Sequence, residues 1–180
     1  MEEEIERITL TKADVVVRQF DMAISLWAED ADPVPVHTLV AAAHDIVDDL
    51  LRNAGLRRTL VGDTKYVRQG MEKEYRKVMK ESANFFKHAD RDSDSTHDFL
   101  PFQTEYLLYG AIEGFKRLGY KPSPRMLAFW IRFVLSNSQF FDESLLPIAK
   151  KLLPVDKLRM LSKKEFIEYF QPAGVSDGSA

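Results

Sequence analysis

The 180-residue chain contains no cysteine. This absence excludes disulfide frameworks, thiol nucleophiles, iron–sulfur clusters and zinc sites built from thiolates. A strong charge of one sign is also missing, because 25 lysines and arginines stand against 28 aspartates and glutamates, for a net charge of −3. That balance excludes a strongly basic nucleic-acid coat protein and a polyacidic disordered chain. Histidine, carboxylate, hydroxyl, amide and basic side chains remain for any chemistry.

Long apolar runs and the signatures of the common enzyme classes are missing as well. The longest uncharged run, residues 33–44, is far shorter than the roughly 20 residues of a membrane span. The chain has no Gly-x-Ser-x-Gly, no glycine-rich phosphate loop and no dinucleotide fingerprint, so hydrolase, kinase and dehydrogenase functions lose their usual support. Its amino terminus, MEEEIER, is the opposite of a basic signal region. We therefore expect a cytoplasmic protein that does not enter a membrane.

The chain is rich in helix start and stop signals that flank apolar residues at helical spacing. Thr11 with Asp14 and Ser162 with Glu165 predict capping boxes at the starts of helices over residues 12–28 and 162–170. Five core helices are expected, followed by two that cover the core. After the first, the predicted ranges are about 35–55, 64–88, 101–119, 126–135, 143–153 and 162–170.

Short connections between these helices favour antiparallel neighbours, so we expect an all-α, up-and-down helical bundle of about six helices. Residues 1–171 would form this single domain, and the polar, glycine-containing residues 172–180 would form a disordered tail. The aromatic-rich stretch 129–141 exceeds what one small core readily buries, which favours a homodimer.

Charge is distributed unevenly along the chain. Residues 1–50 carry a net charge of −9, residues 51–80 carry +6, and the remainder is neutral. Tyr66 and Tyr75 lie within the basic stretch, so its surface could track single-stranded RNA through phosphate contacts and base stacking. Basic residues are also ordinary on an exposed helix, and the overall negative charge argues against nucleic acid as an obligate partner. A protein partner and RNA both stay open.

Polar residues are concentrated between residues 81 and 98, where the predicted third helix ends. Asn84 and His88 are four residues apart, so they share one face of a helix, and Lys87 projects beside them. An amide, an ammonium group and an imidazole there can bind a phosphate, a water molecule or a neighbouring helix. These three residues are our candidate catalytic or binding groups. The alternative is structural, since a histidine at the carboxyl end of a helix interacts favourably with the helix dipole.

A second candidate lies on the predicted second helix, where His44 and Asp48 are four residues apart. An imidazole and a carboxylate on one helical face can both bind a divalent cation, so we expect a metal site at these residues. His88 or Asp90 would complete it if helices two and three are antiparallel neighbours. No signature such as His-Glu-x-x-His is present, and the cofactor stays unknown. The alternative is a histidine packed at the bundle edge with its aspartates in solvent.

Two resemblances accompany these motifs. The runs ANFFKHADRD (83–92) and DPVPVHTLVAAAH (32–44) are similar to those of small bacterial proteins of unknown activity, which imply no function. The order of the helices, with Asn-x-x-x-His near the end of the third, resembles HEPN domains, helical bundles that include metal-independent ribonucleases. In those enzymes an arginine binds the scissile phosphate, and a histidine shortly after it serves the proton transfer from the ribose hydroxyl.

Carried over to this chain, the HEPN resemblance implies an RNA-facing role for Asn84, which matches the polar position, and for His88, which matches the histidine. Ala83 stands where that family has its arginine, so the electrostatic contribution to catalysis is missing. Lys80 or Lys87 could supply a point charge, but not the planar two-pronged contact of arginine. The resemblance covers about the first 135 residues and implies a bundle with degenerate ribonuclease chemistry.

Together these patterns predict a non-catalytic or degenerate HEPN-like module that binds a partner where Asn84, Lys87 and His88 meet the second helix. The alternative is an enzyme, namely an RNA-cleaving or metal-assisted hydrolase that uses His88 with His44 and Asp48. Both hypotheses rest on one geometric expectation, that His44 and His88 share a polar recess between two packed helices.

Overall fold

The computed structural model describes residues 7–59, 69–88, 93–140 and 154–171. Within these ranges the chain forms seven α-helices and no β-strand, so the predicted all-α bundle is confirmed. A single 3₁₀ turn, Ser138–Phe140, follows the fifth helix. The helices are α1 (Lys12–Ala28), α2 (Pro33–Asn53), α3 (Glu72–Phe85), α4 (Phe102–Arg117), α5 (Pro124–Ser136), α6 (Val155–Met160) and α7 (Lys163–Tyr169).

Two predicted capping boxes are confirmed. At the start of α1, the Thr11 hydroxyl accepts from the Asp14 backbone N–H at 3.1 Å, and the Asp14 carboxylate accepts from the Thr11 N–H at 2.8 Å. Ser162 and Glu165 exchange the same pair of bonds at the start of α7, at 3.3 and 2.8 Å. Each box satisfies two backbone donors that a helix leaves free at its amino end.

The predicted third helix is wrong where it was expected to continue through residues 69–71. A turn occupies residues 69 and 70, and α3 begins only at Glu72. Gly70 has a φ of +87°, a left-handed conformation that interrupts a right-handed helix and that glycine adopts without steric cost. The predicted portion over 64–68 lies outside the described residues, as do residues 172–180 and the helix expected over 143–153.

The main core lies between α1, α2, α4 and α5. α2 and α4 pack closely at Gly114, where an added methyl group would come within 2.8 Å of Val47 and 2.9 Å of Leu51. Glycine at this crossing lets the two helices approach as they do, because a larger residue would have to displace these two side chains. The largest fully buried side chains of this core are Phe20, Ile24, Leu51, Leu108, Ile112, Phe115, Met126 and Phe129.

α6 and α7 pack on the bundle through a smaller apolar cluster, formed by Leu135, Val155, Leu158 and Phe166. Arg132 of α5 joins them, because its guanidinium lies 5.3 Å from the Phe166 ring centroid. The C-terminal pair is thus held to α5 by apolar contacts and by two arginines, Arg132 of α5 and Arg159 of α6, which donates to the Leu135 carbonyl at 3.4 Å.

α1 ends in a motif that brings its carboxyl end to the start of α7. The Ala31 N–H donates to the Leu26 carbonyl at 3.0 Å and the Asp30 N–H to the Trp27 carbonyl at 3.2 Å, which is a Schellman motif. Asp30 takes the left-handed position, with a φ of +52°, that glycine usually fills. Its carboxylate pairs with Lys163, the first residue of α7, at 2.7 Å.

None of the helices in the described part of the chain combines the length and the apolar character needed to cross a membrane.

Candidate functional site

His44 is turned into the bundle from α2 and is only 2% exposed. Its Nε2 lies 2.8 Å from the Thr59 hydroxyl oxygen, and its Nδ1 lies 3.6 Å from a carboxylate oxygen of Asp45. Thr59 belongs to the segment that follows α2, so this histidine ties that segment to the helix.

Asp48, one turn further along α2, binds the same segment. Its Oδ1 accepts from both the backbone N–H and the hydroxyl of Thr59, each at 3.0 Å. Its Oδ2 accepts from Arg58, through Nε at 2.9 Å and through one terminal nitrogen. Burial disfavours the charged carboxylate, but the bonds from Arg58 and Thr59 outweigh it and hold the pKa of Asp48 below its ordinary value.

The donor and acceptor in each bond of the Thr59 hydroxyl, to Asp48 and to His44, follow from the chemistry of its partners. A carboxylate can only accept, so the hydroxyl proton points to Asp48 and the hydroxyl oxygen accepts from the Nε2–H of His44. The structure therefore brings His44 and Asp48 together, as their spacing predicts, but through a threonine. A nitrogen that donates a proton has no lone pair for a metal. Among the described residues, no group of three or more His, Asp or Glu side chains is placed to hold a metal ion.

Arg117 and Lys80 extend this network beyond α2. Arg117 of α4 donates to the backbone carbonyls of Arg57 at 2.8 Å and Arg58 at 3.1 Å. Lys80 of α3 donates to Asp45 at 2.9 Å. Burial opposes ionisation of Asp45, but the neighbouring His44 imidazole and the bond from Lys80 lower the pKa of Asp45 to about 2.

Asn84, Lys87 and His88 have a different environment, because all three side chains are exposed. Asn84 lies in the last turn of α3, and its carbonyl accepts from the backbone N–H groups of Lys87 at 3.1 Å and His88 at 3.0 Å. His88 follows the helix rather than belonging to it and reaches solvent, whereas His44 is sealed inside the bundle, so the expectation that the two imidazoles share a polar recess is wrong. The structure thus groups the three candidates at one helix end.

Another histidine, which was not among the predicted site residues, lies just beneath the carboxyl end of α3. His37 is 3% exposed, and its Nδ1 lies 2.9 Å from the Thr104 hydroxyl oxygen. Its ring makes edge-to-face contacts with Phe86 and Phe99, with centroids 5.6 and 5.0 Å away. Within the described residues its Nε2 is buried without a hydrogen-bond partner. Burial, followed by the positive charges of Lys87 and His97, lowers the pKa of His37 to about 4.

His97 completes this aromatic layer. Its Nε2 lies 2.8 Å from the Ser82 hydroxyl oxygen, and its ring centroid lies 5.2 Å from that of Phe85. Phe85, Phe86 and His97 are half-buried, so apolar ring surface borders the exposed polar groups at the end of α3.

A pocket of about 320 Å³ opens where α1 ends and α2, α4 and α7 begin. The Trp27 indole N–H donates to Glu105 at 2.9 Å, and the Lys163 ammonium lies 4.9 Å from the Trp27 ring centroid. No sequence motif links these residues. The pocket is lined by Trp27, Asp30, Ala31, Pro33, Val36, Pro101, Phe102, Thr104, Glu105 and Lys163.

The fold and the site define a class, an all-α helical bundle that carries an exposed polar cluster at one helix end. Comparison with known proteins does not assign the chain to a family. No family model matches the chain, and no significant match is found among curated proteins or solved structures.

Proposed function

We propose that this protein is a non-catalytic, HEPN-like binding module of the cytoplasm that holds a protein partner at the carboxyl end of α3. One observation carries the proposal: the polar groups are divided between two environments. His44 and Asp48 bind Thr59 and Arg58 inside the fold. The side chains that face solvent at the end of α3 are an amide, an ammonium group and an imidazole, all of which can donate hydrogen bonds to a partner.

The chemistry of this surface favours a partner that presents carboxylates and carbonyls. The side chains of Asn84, Lys87 and His88 can all donate hydrogen bonds, and a charged donor strengthens a bond to a carboxylate. The half-buried rings of Phe85 and His97 add the apolar area that protein interfaces combine with polar groups. The net charge of −3 makes a protein a better partner than RNA.

Charge reversal at Lys87 tests the binding surface. We expect Lys87→Glu to abolish capture of a specific partner from the native cell extract, because a carboxylate there repels an acidic surface. Lys73→Glu is the matched control, since Lys73 is an exposed lysine at the opposite end of α3. The measurement is quantitative pull-down with each variant. Equal capture by both variants, or equal loss with both, would contradict the proposal.

A cleavage assay with labelled RNA distinguishes the binding module from the enzyme alternative. The proposal expects no cleavage by the wild-type protein. Cleavage that disappears in His88→Ala, while the melting temperature is unchanged, would replace the binding module by the ribonuclease hypothesis. His88 is exposed, so its truncation should cost less than about 0.5 kcal/mol of stability.

A further inference from the structure

We infer that the pocket between Trp27, Asp30, Phe102 and Glu105 binds a cationic side chain, arginine or lysine, of a protein partner. This site is separate from the end of α3 and does not depend on the proposed function. The inference rests on three properties of the pocket: its shape, the charge of its walls, and a cation of the chain itself that already lies in it.

The shape suits one long side chain. The pocket measures about 320 Å³, near the lower end of the roughly 300–1,000 Å³ of ligand pockets. Pro33, Val36 and Phe102 give it apolar walls against which an aliphatic stem can pack. Phe102 is 58% exposed, and Val34 beside the pocket is also exposed, so apolar surface continues outward to support the partner's backbone.

The charged groups on the walls favour a positive ligand. Two carboxylates, Asp30 and Glu105, line the pocket together with a single amine, Lys163. Glu105 accepts the Trp27 indole N–H with one oxygen, at 2.9 Å, which orients the ring, and its second oxygen can accept from a guanidinium. The Trp27 ring is also held by edge-to-face packing with Phe129, at a centroid distance of 5.0 Å.

Lys163 shows how a cation is held in this pocket. Its ammonium lies 4.9 Å from the Trp27 ring centroid and 2.7 Å from a carboxylate oxygen of Asp30. An aromatic face and a carboxylate are the two contacts that recognise an ammonium or guanidinium group. Lys163 therefore competes with an external cation for the same face, and its removal should improve binding.

The test is a titration with N-acetyl-arginine methylamide, followed by the NMR signal of the Trp27 indole N–H. The chain has two tryptophans, so Trp27→Phe assigns the signal. The matched ligand is the citrulline methylamide, which has nearly the same shape without the charge. We expect a saturable shift with the arginine ligand and none with the citrulline ligand.

Four variants of the full chain sharpen the test. Lys163→Ala should tighten binding of the arginine ligand about tenfold, the equivalent of about 1.4 kcal/mol, because the internal competitor is gone. Lys164→Ala is its control, since the neighbouring lysine pairs with Glu29 instead and does not line the pocket. Glu105→Gln, which keeps an acceptor for the indole, should weaken binding at least threefold. Lys87→Glu should leave binding unchanged, which separates this site from the proposed function.

Several outcomes would overturn the inference. Equal responses to the arginine and citrulline ligands would show that the pocket binds apolar surface without recognising charge. A response to N-acetyl-glutamate methylamide would show that the pocket does not select a positive charge. Weaker binding in Lys163→Ala than in the wild-type protein would make Lys163 part of the site rather than its competitor. If Lys163→Ala perturbs the fold, Lys163→Gln replaces it, with the same expectation and the same opposing result.

Discussion

Among the individual side chains, His37 has the most distinctive environment. It is enclosed by Phe86, Phe99 and Thr104, and the charged groups that face it are those of Lys87 and His97. Its neutral form is therefore favoured in the folded protein, and its pKa of about 4 lies below the ordinary value of 6.5. Between these values the unfolded chain binds more protons than the folded one, so stability rises with pH through this window.

We predict that His37 makes folding sensitive to mild acid. Its contribution is present above about pH 6.5 and is lost as the pH falls towards 4, by up to about 3 kcal/mol. His37→Gln cannot titrate, so its free energy of unfolding should fall less across this range than that of the wild-type protein. Urea unfolding across the range measures the difference. His88→Gln, at an exposed position, should keep the wild-type slope; identical slopes for wild type and His37→Gln would refute the prediction.

Between neighbouring elements, the clamp formed by His44, Asp48 and Thr59 joins α2 to the segment after it. The clamp depends on one hydroxyl, which donates to Asp48 and accepts from His44. Arg58 and Arg117 reinforce the attachment from either side of the segment. His44 and Asp48 keep these hydrogen bonds only while Arg58 and Thr59 stay in place.

We predict that Thr59→Val destabilises the protein by about 2–4 kcal/mol. Valine keeps the shape of threonine, but it leaves the buried His44 N–H without its acceptor and Asp48 without one donor. Chemical denaturation measures the loss. Thr38→Val is the matched control, because among the described residues the Thr38 hydroxyl donates to the Val34 carbonyl of its own helix and does not join two elements. A cost for Thr59→Val no larger than that for Thr38→Val would show that the clamp contributes little.

Across the bundle as a whole, the helices are held together by two apolar clusters. The large one joins α1, α2, α4 and α5 and includes Ile167 of α7, and the small one attaches α6 and α7 to the end of α5. Arg132 stands at their boundary and donates to the backbone carbonyls of Leu161 at 3.0 Å and Ser162 at 3.3 Å. Since α7 supplies Lys163 to the Trp27 pocket, the attachment of α7 also determines how open that pocket is.

We predict that Arg132→Met loosens α6 and α7 selectively. Loss of the two charged hydrogen bonds should raise amide hydrogen exchange in α7 by about tenfold or more, equivalent to at least about 1.4 kcal/mol, while α2 keeps its protection. Exchange followed by mass spectrometry resolves the two helices. Arg52→Met, which removes an exposed arginine paired with Asp49, should leave both helices unchanged. Uniformly faster exchange throughout the bundle would contradict a selective role.

The elements that the sequence predicted well depend on residues close together in the chain. The Thr11–Asp14 and Ser162–Glu165 boxes each span three residues, so their contacts form as soon as a helix begins. The spacing of four residues between His44 and Asp48 likewise follows from helical geometry, whereas His88 lies beyond the end of α3. The length of the third helix was overestimated because the apolar periodicity continues across Gly70. The left-handed backbone conformation of Gly70 interrupts the helix at that point.

The candidate sites, by contrast, depend on contacts that no local pattern encodes. Trp27 and Glu105 are 78 residues apart, and Asp30 and Lys163 are 133 apart. Periodicity and capping therefore sufficed to establish an all-α bundle and the grouping of polar residues on its helices. Packing of the helices selected which of those groups are buried, because burial and long-range hydrogen bonding arise only when distant segments meet. That packing enclosed His44, exposed His88 and created the pocket at Trp27.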